Sequence, residues 1–350
     1  MSKSKFKCKF LKLKIKSEEI KKILCIKPRG IGDIVLSTIV LENIKTALPH
    51  SDIHYLTEDF AKRTVENNPF VDKVITFKKN DFVLKVVKKV RAEKYDLIID
   101  FWSNPKTAQI TFLTFAKYRA GYNKQGRKYA YNIISNSGDA NTHAAETHLL
   151  LLNDIQIPIV SRKILFCLKD NEIEFAQNFI KDNFNNELIL GIIPSGGWRS
   201  KRCEPEKWIE ICNALHKKIN TKFLILWGPG DEYDAQEIKN NLNENAVLIP
   251  DTDVGRLAAL INECKLVVAN DSGPMHIAAA LGVPVIGIFG PTNPNNHKPY
   301  SANSDYIIKD NLHCIKCNLL ECPYDHECMK ELNINEFIIK VEKLLNKKYN

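Results

Sequence analysis

Short apolar runs alternate with stretches of helical period along most of this 350-residue chain. Ile23 to Ile26 is an unbroken apolar run, as expected of a strand buried on both faces. The turn Pro28-Arg-Gly-Ile-Gly-Asp33 follows, and a helical period from Ile34 to Leu48 stops before Pro49. The same alternation predicts strands at Asp52 to Leu56, Lys73 to Phe77 and Leu97 to Asp100, with helices over Phe60 to Asn67 and Phe82 to Arg91. From Lys106 the chain turns basic and aromatic (Lys117, Tyr118, Arg119, Tyr122, Lys124, Arg127, Lys128, Tyr129), and a helical stretch runs from His143 to Leu152. A second series opens after Ile164 to Leu168. It predicts helices over Glu172 to Phe184, Glu206 to Lys218, Asp234 to Leu242, Val254 to Glu263 and Pro274 to Leu281. Its strands are Leu188 to Ile193, Phe223 to Trp227, Val247 to Ile249, Leu266 to Ala269 and Val283 to Phe289.

Alternating strands and helices of this kind build parallel sheets. Two such series, each near domain size, predict an α/β protein with two Rossmann-like domains facing a cleft. The expected division is a basic tail over 1–21, an N-terminal domain over 22–168 and a C-terminal domain over 169–350, the last carrying a cysteine cluster and a closing helix.

Composition changes this picture in one place. The net charge is +9, but the first 22 residues hold nine lysines against Glu18 and Glu19, leaving a surplus of only +2 on the rest. The body is therefore no polyanion binder, which argues against nucleic acid. The tail mixes lysines with apolar residues from Lys5 to Lys16, a pattern that suits an anionic inner-membrane surface and equally suits a solvated edge. Lysines interrupt every apolar run there, so a signal peptide is not expected, and no stretch is long enough to span a bilayer. A cytoplasmic chain, with or without contact to the membrane's inner face, is the expectation.

The most informative chemistry lies in Leu266-Val-Val-Ala-Asn-Asp-Ser-Gly-Pro-Met-His-Ile-Ala-Ala-Ala-Leu-Gly282. A strand ends at Asn270, Asp271 and Ser272 are good N-cap residues, Pro274 fits a first turn, and Gly282 sits where a helix C-cap glycine belongs. A helix N-terminus at the carboxyl end of a parallel strand is where open α/β sheets hold anions. The amides of Ser272, Gly273 and Met275 can point at such an anion, and His276 stands one turn in. A capped helix alone explains Asp271, but acid, hydroxyl, glycine and histidine converging on one strand end favour a ligand site. Pro194-Ser-Gly-Gly-Trp-Arg-Ser-Lys-Arg202 follows another strand end, with Ser195 and Gly196 as donors and Lys201 as a mobile cation. Trp227-Gly-Pro-Gly-Asp-Glu232 leaves room for a nucleoside, with Glu232 set to bind ribose hydroxyls. Asp33, opening the first helix, fits a general base or a simple cap equally well. Val35 occupies the third glycine position of a dinucleotide fingerprint, which disfavours a nicotinamide oxidoreductase.

With these residues in place, the chain resembles the ADP-heptose:lipopolysaccharide heptosyltransferases, inverting glycosyltransferases of the two-Rossmann GT-B fold. The resemblance runs from Lys22 to about Lys340. It is carried by Arg29-Gly-Ile-Gly-Asp-Ile-Val-Leu36, Asn68-Pro-Phe-Val-Asp72, the Ser-Gly-Gly…Ser-Lys-Arg loop and Asn270 to Gly282. It implies Asp33 as the base that deprotonates the acceptor hydroxyl. It also implies Lys201, Ser272, Gly273 and His276 on the donor diphosphate, Asp271 organising that site, Glu232 near the ribose, and no cofactor for catalysis. Two departures stand out: Cys203-Glu-Pro205 where the family loop usually carries Trp-Pro, and Pro274 in place of a frequent leucine, which removes one amide donor. The partners implied are an ADP-heptose donor and a lipopolysaccharide core acceptor, with Lys106 to Tyr131 as acceptor surface or, residue by residue, a solvated face. Another nucleotide-sugar, a protein acceptor, or a nucleotide-sugar-binding protein without turnover are the alternatives; Asp33 together with Lys201 argues against the last.

Cys314-x2-Cys317-x4-Cys322-x5-Cys328 places four thiols close in sequence. In a cytosolic chain they suggest structural zinc or iron on thiolates more than disulfides, and four reduced thiols packed in a small C-terminal unit remain the alternative.

Overall fold

The computed structural model describes residues 15–347, so most of the lysine-rich tail, with Cys8, lies outside the described residues. Strand β1 (Lys22–Ile26) turns at Gly30 into helices α1 (Ile31–Ser37) and α2 (Leu41–Ala47). Then come β2 (Asp52–Glu58), β3 (Lys73–Phe77), α3 (Val83–Arg91), β4 (Leu97–Asp100), α4 (Pro105–Leu113), β5 (Tyr118–Tyr122), β6 (Ile133–Ser135) and α5 (Ala144–Asp154). The second series comprises α6 (Asp170–Asn183), β7 (Leu188–Ile193), α7 (Pro205–Ile219), β8 (Thr221–Ile225), α8 (Glu232–Leu242), β9 (Ala246–Leu248) and α9 (Val254–Asn262). It closes with β10 (Leu266–Asn270), α10 (Gly273–Leu281), β11 (Val285–Phe289), α11 (Pro294–His297), β12 (Ser304–Ile308), α12 (Glu327–Lys330) and α13 (Ile334–Leu345).

The strands form two six-stranded sheets, ordered β3-β2-β1-β4-β5-β6 and β12-β11-β10-β7-β8-β9. Every pairing is parallel, β1 lying between β2 and β4, and β10 between β7 and β11. The direction of winding reverses between β1 and β4 in one sheet and between β7 and β10 in the other. Parallel sheets open a crevice at that switch point, at the carboxyl ends of the strands. The expected α/β architecture with two doubly wound sheets is therefore present.

One apolar cluster joins the two halves. It runs from Ile23, Cys25 and Ile53 through Ile34, Val40 and Leu151 to Ala258, Met275 and Val285. The outer face of the first sheet is sealed by α3 and α4 (Val86, Val87, Val90, Ile110), and that of the second by Trp208, Ile238 and Phe337.

Local differences from the sequence pattern have local causes. The long helix expected over 34–48 is split by a 3-10 turn at Thr38–Val40. There the Ser37 and Thr38 hydroxyls donate to the Ile34 and Val35 carbonyls at 2.8 and 2.6 Å, competing with the helix's own ladder. The helix expected over 60–67 is a 3-10 segment, Asp59–Thr64. Around the basic stretch after Lys106 the structure adds α4, β5 and β6; β5 is interrupted by Arg119, and β6 is only three residues long. Arg119 sits in β5 and spends its guanidinium on the carbonyls of Ala130 and Ala116, at 3.0 and 2.6 Å.

Candidate active site

The switch points of the two sheets meet in one cleft of about 880 Å³. On the first sheet's side Gly30 adopts φ +84°, and a Cβ there would come within 2.5 Å of an Asp33 carboxylate oxygen. Glycine is thus what lets α1 begin with Asp33 in its first turn, facing the cleft. Lys27, the residue after β1, is nearly buried, and its ammonium stands 3.1 Å from Asp33 Oδ1 and 4.5 Å from the centre of the Trp102 ring. Trp102 is placed by the end of β4, where the buried Asp100 accepts from the Trp102 and Ser103 amides and from the Tyr131 hydroxyl. Burial raises the Asp100 carboxyl above its ordinary range while those donors oppose the shift.

Across the cleft, Ser272 caps α10 without using its own hydroxyl, and Gly282 closes that helix in the left-handed conformation at φ +79°. The Ser272 hydroxyl and His276 Nδ1 are buried with no hydrogen-bond partner among the described residues. Buried polar atoms of native proteins are normally paired, so two orphans at one helix N-terminus mark a place for a polar ligand. Burial pushes the His276 imidazole down to about 4, against a weaker pull from Asp271, so it is neutral at physiological pH and offers a neutral N–H. α1 and α10 touch closely: a Cβ on Gly32 would meet the His276 ring at 2.6 Å, and one on Gly273 would meet Ile31 at 3.0 Å. These glycines bring the two helix N-termini together.

Lys201 differs from expectation. It is not a mobile cation: its side chain is only partly exposed, with the ammonium 2.7 Å from Asp271 Oδ2 and 3.9 Å from the Trp198 ring centre. Thr292 donates its hydroxyl to the same Asp271 oxygen at 2.7 Å. The loop is held from outside too, since the Ser200 amide donates to the Leu320 carbonyl at 3.2 Å and His326 Nε2 donates to the Ser200 carbonyl at 2.9 Å. Cys203, where the family pattern has Trp-Pro, is buried, and its amide donates to Asn270 Oδ1 at 3.5 Å.

Ser195, Gly196, Lys201, Asp271, Ser272, Gly273 and His276 line the cleft together with Asp33. Glu232 does not; it is exposed at the start of α8. Asp231, one residue earlier, faces the cleft instead, paired with Arg202 at 2.7 Å, its carboxyl raised by burial despite that partner. A helix start turns successive side chains by about 100°, so a one-residue error swaps an inward acid for an outward one. The stretch from Lys106 to Tyr131 also divides: Tyr118, Tyr122 and Tyr131 are core residues. Lys124 donates to the Trp102 carbonyl at 2.8 Å, its amine lowered by desolvation and by Lys27.

Lys27, Trp102, Thr292 and His297 also belong to this region and were not singled out from sequence. Thr292 and His297 follow β11, a further strand end whose Gly290-Pro291 turn was a legible signal. A lysine after an apolar run reads as solvated, so Lys27 carried no signal.

The four clustered cysteines form no disulfide, and burial, reinforced by the neighbouring Cys322, Cys314 and Cys317, pushes the Cys328 thiol up to about 12. Among the described residues no group of three or more His, Cys, Asp or Glu is arranged to hold a metal ion.

Comparison with known proteins gives a consistent neighbourhood. The profile of Glycosyltransferase family 9 (heptosyltransferase) matches residues 83–327. Lipooligosaccharide heptosyltransferase 2 of Haemophilus ducreyi is 27% identical over 307 residues, which is 82% of this chain and 88% of that protein. Among solved structures, a glycosyl transferase family 9 protein from Veillonella parvula superposes with a TM-score of 0.85 at 22% identity, covering 94% of this chain and 98% of the other. The ADP-heptose lps heptosyltransferase II of E. coli gives 0.76 at 20% identity, covering 93% and 98%.

Proposed function

Because this chain belongs to glycosyltransferase family 9, the heptosyltransferases, and is therefore a glycosyltransferase, we propose that it transfers heptose from ADP-heptose to the core of lipopolysaccharide with inversion at the anomeric carbon. The observation that carries the mechanism is the meeting of Asp33 with the α10 N-terminus in one cleft, each at the switch point of its own sheet. In this reading the Asp33 carboxylate takes the proton of the acceptor hydroxyl as that oxygen attacks the anomeric carbon. The bond to the diphosphate breaks on the opposite side. The departing charge is met by the amides of Ser272, Gly273 and Met275, the Ser272 hydroxyl and the neutral His276 N–H. Lys201 supplies the full positive charge, and Asp271, fastened by Thr292, holds it at the site. Pro274 contributes no amide. Lys27, 3.1 Å from Asp33 Oδ1, holds that carboxylate in its orientation.

Nearby Asp231 is a better placed candidate than Glu232 for the nucleoside end. Trp102 and Lys124 supply the acceptor side with a ring face and a cation, chemistry suited to an anionic sugar.

The expected outcome for Asp33→Asn is loss of transfer by a factor on the order of 10²–10⁴ with ADP affinity unchanged, read by product formation and by calorimetry. Wild-type turnover in that variant would remove Asp33 as the base. The cysteine segment enters the proposal as a support for the Lys201 loop, through Leu319, Leu320 and His326 on Ser200. Its finer form is a zinc or iron ion drawing Cys314, Cys317, Cys322 and Cys328 together. Elemental analysis is then expected to find about one such ion per chain. A metal-free active protein would leave the thiols reduced and merely packed.

A further inference from the structure

The outer face of the first sheet carries side chains for which the transfer reaction has no use. On α3 and α4, Val86, Val87, Val90 and Ile110 turn inward against the strands. Turned outward, Leu84 is 72%, Phe112 40% and Phe115 64% exposed. The Phe112 ring lies 6.4 Å from that of Phe115 and 5.4 Å from that of Tyr129, so these three rings form one contiguous area. Scattered apolar residues on a surface are ordinary; a contiguous patch marks a contact.

The charge around the patch says what kind. α3 reads Val-Leu-Lys-Val-Val-Lys-Lys-Val-Arg, with four cations and no acid. Helical spacing aligns Leu84, Lys88 and Arg91 in one stripe, and the Arg91 guanidinium lies 5.0 Å from the centre of the Phe115 ring. Cations and aromatic rings on a single helical layer match a partner with negative charge at its surface and hydrocarbon just beneath. None of the helices among the described residues is long and apolar enough to cross a membrane, and this face requires no crossing.

We propose that the α3–α4 face seats the protein on an anionic phospholipid surface. Leu84, Phe112 and Phe115 enter the boundary between headgroups and acyl chains, while Lys88 and Arg91 meet lipid phosphates. The contact goes beyond the transfer reaction and needs neither substrate, so the two readings fail separately.

The test is sedimentation of the full-length protein with vesicles rich in phosphatidylglycerol and with vesicles of phosphatidylcholine alone. Binding to the first is expected to exceed binding to the second by about tenfold or more. The Leu84→Ser/Phe112→Ser/Phe115→Ser variant and the Lys88→Glu/Arg91→Glu variant should each lose about tenfold or more of the anionic-vesicle binding. Both should keep the wild-type circular dichroism spectrum and wild-type transfer to a soluble, lipid-free acceptor. Unchanged vesicle binding in both variants overturns the proposal and assigns any contact to another region, the basic tail included. A wild-type dimer that the triple serine variant dissolves also overturns it, because the patch would then join two copies.

Discussion

His276 shows how a single side chain takes its chemistry from its surroundings. In water an imidazole titrates near 6.5, but burial against Gly32 and the start of α10 lowers it to about 4. The folded protein thus binds the proton less readily than the unfolded chain. Its stabilising contribution is complete above about pH 6.5 and is lost as pH falls from there to about 4, a span on the order of 3 kcal/mol. Chemical denaturation across that interval should show wild-type stability dropping, and His276→Gln losing less of it. An equally steep fall in the variant would shift the effect to other buried histidines such as His148, also lowered by burial. Lys201 is likewise defined by its neighbours: a lysine on a glycine-rich loop reads as free, yet Asp271 and Trp198 fix it.

Among the elements, the two helix N-termini at the cleft are where local sequence and function meet. α10 is short, begins at a proline-containing turn and ends at a left-handed glycine, each of which is a local rule written in sequence. α1 depends on Gly30 more directly, because its φ of +84° disfavours any side chain and the space a Cβ needs is taken by Asp33. Gly30→Ala should therefore cost about 1–2 kcal/mol of stability. It should also slow transfer by about tenfold or more while ADP affinity stays near wild type, since only the carboxylate is displaced. Equal losses in rate and ADP affinity would mean that the whole cleft had moved.

For the molecule as a whole, the question is what keeps two sheets in register across the cleft. The shared apolar cluster contributes most of the contact, and one polar clasp sits beside it. Arg63, after β2, donates to Glu172 at the start of α6 through Nε at 2.6 Å and also through Nη2, and to the Cys167 carbonyl at 2.8 Å. Both charged groups are largely buried, so removing the cation leaves a carboxylate without its partner. Arg63→Ala is expected to lower unfolding free energy by about 3–5 kcal/mol, and Arg63→Met with Glu172→Gln by less. Urea unfolding midpoints distinguish the two; equal midpoints in the single variant and wild type would reduce the clasp to a surface contact.

The strand and helix alternation, the capped start of α10 and the acid opening α1 were all legible in the sequence, because each rests on neighbours in the chain: an apolar run, a cap, a glycine turn. Glu232 in place of Asp231 marks the limit of that reading, since a helix start does not announce its phase. β5 was hidden because Arg119 satisfies itself on nearby carbonyls that only the folded chain supplies. Lys27 beside Asp33, Thr292 on Asp271, and α1 against α10 unite residues from separate strand ends. Local propensity cannot encode such pairings; the winding order of two sheets and the burial between them decide which distant side chains share a site.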